Sequence, residues 1–210
     1  MGRVNTFFPR PHALATRPNG DYVFIASLAT NQLMGINTDT RETKLTRLGG
    51  TTQTPVQFAV TKDGSRLIAG GQKTGELLVF DATNAPSLSV IDTLKVGEQP
   101  WHPVISRQSG MAYVPNKMSH SISVVDVSNA AVEATIRGDG LAQPHGTVLS
   151  ADGKYLFVSN NNREGTYEPS GDNGTVTVIN TETKEIEKII EVGAYPTGIG
   201  TFGGHQVTMP

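Results

Sequence analysis

The chain has 210 residues, 37% of them apolar and 17% charged, with 23 glycines, 12 prolines, no cysteine and a formal net charge of −2. That balance argues against long helices and excludes disulfides, thiolate metal sites and c-type haem attachment; it suits many turns between short strands. The lysines and arginines are scattered and no apolar stretch reaches membrane-spanning length, so neither nucleic acid nor a membrane span is expected.

Met1–Asn5 lacks the apolar segment of a signal peptide, which leaves a cytoplasmic protein or one whose leader has been removed. Val4–Phe8 reads as a strand standing ahead of the first repeat. From there a repeat organises the sequence. Prolines at Pro11, Pro55, Pro100 and Pro144 lie 44, 45 and 44 residues apart, and each precedes a turn: Asn19-Gly20, Asp63-Gly64, Ser109-Gly110 and Asp152-Gly153. An apolar run follows each turn, at Tyr22–Ile25, Arg66–Ala69, Met111–Val114 and Tyr155–Val158.

A second run closes on Asn37, Asp81, Asp126 or Asn180, whose side chains are suited to bond to the backbone ahead and force a turn. A last strand then stops at Gly49, Gly97, Gly138 or Gly193. Runs of four to six residues, rich in Val, Ile, Thr and Tyr, favour strands over a helical solenoid, which needs apolar spacings of three and four over longer stretches. Four short strands per repeat of this length predict an all-β chain of β-propeller blades. The blades run over about 11–49, 55–97, 100–138 and 144–193, within a single partial propeller domain spanning 1–210. Residues 1–10 and 194–210 are expected to add strands to adjoining blades, with Gly203-Gly204 as a turn and Gln206–Thr208 as a strand of a fifth repeat.

Pro144-His145-Gly146, the segment Ala151–Asn160, Gly174–Thr181 and Ile189–Gly193 together resemble the YVTN-type β-propeller repeat. The resemblance covers nearly the whole chain and implies a ring of seven or eight blades, of which four are present. It also implies a periplasmic or extracellular location. Functions within the group include surface proteins, periplasmic binding proteins and enzyme domains, among them the haem-d1 propeller of cytochrome cd1 nitrite reductase. Two origins fit four blades: a piece of a longer polypeptide, or a half-propeller that completes its ring against another chain. In either case the end blades need neighbours to cover their apolar faces.

In a blade the linker before strand one and the loop between strands two and three share the top face. Counting back eight residues from each turn glycine gives His12, Val56, His102 and His145, so three of four blades place an imidazole at the channel mouth. Imidazole binds transition metals and moves protons near neutral pH, which makes these three histidines the candidate metal or haem ligands. The bland alternative is a bond to a neighbouring backbone group.

The sole tryptophan, Trp101, adjoins His102 as a contact anchor or a seam cover, and Tyr195 flanks the same rim. The fourth repeat carries an insertion over 161–174. It offers Arg163 and Tyr167 to a ligand, and Glu164, Glu168 and Asp172 as a weakly spaced calcium set. His120 is expected to face solvent, and Asn173-Gly174-Thr175 matches a short glycosylation acceptor.

No nucleophile elbow, phosphate loop, helical zinc motif or carboxylate couple is present. The reading is a non-catalytic module that binds a protein or small ligand through His12, Trp101, His102, His145 and the insertion. The alternative is the propeller portion of a haem- or metal-dependent oxidoreductase.

Overall fold

A computed structural model describes residues 3–200. Sixteen strands form four antiparallel sheets, each of four strands in sequence order. The first blade holds β1 (Pro11–Thr16), β2 (Tyr22–Ser27), β3 (Gln32–Asn37) and β4 (Thr43–Arg47). The second holds β5 (Pro55–Val60), β6 (Arg66–Gly71), β7 (Glu76–Asp81) and β8 (Ser89–Lys95). In the third are β9 (Val104–Ile105), β10 (Met111–Asn116), β11 (Ser121–Asp126) and β12 (Ala131–Ile136). The fourth contains β13 (Pro144–Leu149), β14 (Tyr155–Asn160), β15 (Thr175–Asn180) and β16 (Ile186–Glu191).

Local chemistry sets these boundaries. The turn glycines Gly20, Gly64, Gly110 and Gly153 all have φ between 73° and 79°, which a side chain would resist. At the far end of the third strands, Asn37 Oδ1 accepts the amides of Asp39 and Thr40, and Asn180 Oδ1 those of Glu182 and Thr183. Asp81 and Asp126 do the same for Thr83, Ser128 and Asn129.

Successive first strands touch, β1 with β5, β5 with β9 and β9 with β13, so they follow one another along the inner edge of an arc. The core lies in the seams between blades. Phe24 and Leu33 meet Leu67, Leu78 and Phe80 in the first seam. Ile68, Leu77 and Val79 meet Ala112, Val114 and Val125 in the second. Tyr113, Ile122 and Val124 meet Leu156, Val158 and Ile179 in the third. Each large buried side chain contributes about 1.5–3 kcal/mol, and in the second and third blades alternate residues of the middle strands serve opposite seams. The chain is therefore a four-bladed stretch of β-propeller.

The end faces differ from expectation. Val4–Phe8 forms no strand, because no sheet edge lies beside it to accept its hydrogen bonds. Instead Phe8 is buried against Met34 and Ile36 on the outer face of the first blade, where Leu14 stays 55% exposed. Residues 194–200 are likewise strandless, and Gly203-Gly204 and Gln206–Thr208 lie outside the described residues. Among the described residues, no helix is long and apolar enough to cross a membrane.

Candidate functional site

The rim is built by a backbone device repeated in every linker. The residues preceding the five repeat prolines, Arg10, Thr54, Gln99, Gln143 and Tyr195, all have φ between 48° and 57°. For a non-glycine residue this conformation costs about 1–3 kcal/mol, and the surroundings must hold it. The second-to-third-strand turns help to do so. Amides of Leu28, Gln72, Lys117 and Asn161 donate to the carbonyls of Arg10, Thr54, Gln99 and Gln143 at 2.9–3.4 Å. Just past the proline the pairing register slips, between Pro11 and Ala13, Pro55 and Phe58, and Pro144 and Gly146. Such a bulge re-aims the residue it contains.

His12 and His145 occupy that bulge and act alike. His12 Nδ1 lies 3.0 Å from the carbonyl oxygen of Val56, and His145 Nδ1 lies 2.7 Å from that of Thr197. A carbonyl only accepts, so both rings carry hydrogen on Nδ1. Each histidine thus straps its blade to the equivalent position of the next.

The third blade departs from this rule. Pro100 bridges to Asn116, and pairing resumes only at Val104 opposite Tyr113, so Trp101, His102 and Pro103 fill a longer bulge. His102 is therefore not the equivalent of His12 and His145. Its amide donates to His145 O at 3.3 Å and its carbonyl accepts the Thr147 hydroxyl at 2.6 Å, which press the two rings together. The His102 and His145 centroids are 4.8 Å apart, edge to face, and Trp101 lies 5.9 Å and 4.9 Å from them.

Burial pushes His102 down to about 4, with the charge of His12 adding to the effect. His145 is pushed down to about 3 by burial and by His102, Lys117 and Arg163, against the pull of the Thr197 carbonyl. Both imidazoles are neutral at neutral pH. Since His145 donates through Nδ1, its Nε2 presents a lone pair. Trp101 Nε1 and His102 Nε2 are buried with no hydrogen-bond partner among the described residues.

Two cations flank the cluster. Lys117 Nζ stands 5.5 Å over the Trp101 ring, and the Arg163 guanidinium 5.0 Å over Tyr195. Burial and Arg163 push the Lys117 ammonium down, against Glu164. The ion pairs among the described residues include neither cation.

Arg163 is held in place by an ordered insertion. Asn162 is buried; its Oδ1 accepts the Tyr167 amide, and its Nδ2 lies 3.0–3.1 Å from acceptors on Tyr167, Ser170, Gly171 and Asn173. The Arg163 amide donates to Gln143 Oε1 at 2.7 Å, and the Gln143 amide donates to His120 Nδ1 at 3.2 Å. His120 is thus tied to the insertion, with Nε2 4.0 Å from Glu164, where the sequence suggested an imidazole facing solvent. Tyr167 does not join the rim: it lines a groove of about 180 Å3 beside His120, Leu141 and Ala142.

No group of three or more His, Cys, Asp or Glu side chains among the described residues is gathered closely enough to hold a metal ion. His102 and His145 are in ring contact, but with His12 they do not make such a group. The spacing of Glu164, Glu168 and Asp172 likewise assembles no calcium cage. Sequence reasoning missed Lys117, although it follows Asn116 at the top turn just as Asn161 follows Asn160. It also missed the longer bulge, visible as ten residues from Pro100 to Gly110 where the other repeats have nine.

No family model matches the chain. Antigen Lp49 of Leptospira interrogans is 29% identical over 156 residues, covering 69% of the chain and 33% of that protein. Among solved structures, hydrazine synthase of Kuenenia stuttgartiensis superposes with a TM-score of 0.77 at 21% identity over 91% of this chain and 52% of that one. Dihydro-heme d1 dehydrogenase NirN gives 0.69 at 16% identity, covering 87% and 37%. The WD40 repeats of RRP9 give 0.68 at 15%, covering 84% and 50%. The chain spans a third of the antigen and about half or less of each structure. These likenesses establish a shared propeller fold.

Proposed function

We propose that this chain is a non-catalytic β-propeller binding module whose ligand sits against Trp101, His102 and His145, between Lys117 and Arg163. One observation carries the reading: two buried nitrogens, Trp101 Nε1 and His102 Nε2, lie without partners in one aromatic cluster. Unpartnered polar atoms cost about 1–3 kcal/mol each, a cost that a bound molecule would remove. His12 borders the cluster and Tyr167 stands outside it. The ring would be completed to seven or eight blades by further polypeptide or by another chain, since Leu14 and Ile190 are apolar and exposed on the two end faces. The antigen relative supports a place outside the cytoplasm, periplasmic or extracellular.

The test is a fragment screen on 15N-labelled protein. The Trp101 indole gives a single cross-peak, because the chain has one tryptophan. Binders are expected to move that peak and to be lost in Trp101→Ala. Binders that perturb only the opposite, Gly20-to-Gly153 end would refute the site.

A second reading, the propeller portion of a haem- or metal-dependent oxidoreductase, is favoured by His102 alone. Its imidazole is neutral and its Nε2 free, as an axial ligand requires. Titration with haem, followed by absorbance, is expected to give a shifted band that His102→Ala abolishes. A spectrum identical to that of free haem would remove this reading.

A further inference from the structure

We infer that the rim ligand is a small planar aromatic carboxylate, its acid group held between Lys117 and Arg163 and its ring set against Trp101 and the His102–His145 pair. The inference rests on the binding role just proposed and adds the chemical class of the ligand. Lys117 is half-buried, and among the described residues neither it nor Arg163 has a carboxylate within ion-pairing distance. Their observed side-chain partners are aromatic faces, which attract a cation but give its N–H groups no directed acceptor. Lys117 and Arg163 each push the neighbouring His145 toward its neutral form, so the positive potential of both reaches that imidazole.

A cationic ligand would meet that potential head-on. A bare inorganic anion would use the two charges but leave the indole and imidazole faces idle. A flat ring bearing one carboxylate uses both sets, and its oxygens can accept from the Lys117 ammonium and the Arg163 guanidinium. Arg163 is kept available for this by Asn162 and Gln143, which fix the backbone on either side of it.

The experiment compares benzoate, benzamide, acetate and inorganic phosphate on the 15N-labelled chain, reading the Trp101 indole peak. Benzoate is expected to saturate the shift with an affinity about tenfold above the other three, as one well-placed charge contact allows. In the Lys117→Met/Arg163→Met variant, benzoate is expected to fall to the benzamide level while the amide spectrum stays that of the folded chain. Benzamide binding as tightly as benzoate, or benzoate binding unchanged in the variant, would overturn the anion and leave the binding site standing. Phosphate or acetate matching benzoate would overturn the aromatic ring. If all four leave the indole peak still, the ligand class is overturned, while the binding role stands or falls on the fragment screen.

Discussion

His145 donates its Nδ1–H to the carbonyl of Thr197, 2.7 Å away in the segment that follows the fourth blade. That bond fixes the ring's tautomer and leaves Nε2 as the acceptor, so one histidine both fastens the following segment and equips the site. His12 does the first of these for Val56. The strap explains why a residue type expected for metal binding recurs at this position.

Buried neutral imidazoles make the fold sensitive to mild acid. His102 and His145 titrate near pH 6.5 when unfolded but only at about 4 and about 3 when folded. Between those limits the unfolded chain binds more protons, so stability falls as pH drops below about 6.5. The slope is at most about 1.4 kcal/mol per pH unit for each ring. Urea unfolding from pH 7 to pH 4 is expected to show this decline, and His102→Gln to flatten it.

Arg17 is a strut on the opposite, lower end of the first seam. It donates to Gly64 O at 3.0 Å, to Ala82 O and to Asp21, and stacks over Tyr22. Arg17→Met is expected to cost about 1.5–3 kcal/mol, the range for hydrogen bonds from a charged donor. Chemical denaturation checks it. Arg17→Lys is expected to recover only part, since one ammonium cannot serve three separated acceptors.

Gly70 lies under Pro100 of the next blade, and a Cβ there would stand 2.6 Å from the Pro100 carbonyl oxygen. Backbone cannot yield as a side-chain tip does, so Gly70→Ala is expected to displace the Pro100–His102 bulge and destabilise the chain by about 1–3 kcal/mol. Because Trp101 rides on that bulge, its fluorescence maximum is expected to move. An unchanged maximum would show that the seam absorbs the methyl elsewhere.

Asn162 holds the insertion from within. Asn162→Ala removes the amide that gathers Tyr167, Ser170, Gly171 and Asn173. Limited proteolysis is expected to cut the variant after Arg163 far faster than the wild type. The four sheets are expected to keep their amide-exchange protection, because the insertion lies outside every seam.

The strands and turns were legible because short apolar runs rich in Val, Ile, Thr and Tyr and the Asx or Gly turns between them are local, and the chain repeats them four times. The recurrence of His12 and His145 was legible for the same reason. Their bonds to Val56 and Thr197 were not, since partners 44 and 52 residues away are met only in the folded chain. His102 misled because alignment on the turn glycine conceals one extra residue after Pro100. Lys117, His120 and Gln143 carried no motif; their roles arise where two blades and an insertion converge. Phe8 read as part of a strand, whereas an apolar side chain with no sheet edge to join covers whatever bare surface is nearest.

Arg10, Thr54, Gln99, Gln143 and Tyr195 share one kinked backbone conformation although only the two glutamines are alike. The main chain, braced from the neighbouring turn, dictates the kink and leaves the identity of the side chain free. A scaffold of this kind can exchange the groups it displays, one blade at a time, without renegotiating its architecture. Diversification of what such a rim recognises is then a matter of single substitutions in a fixed socket.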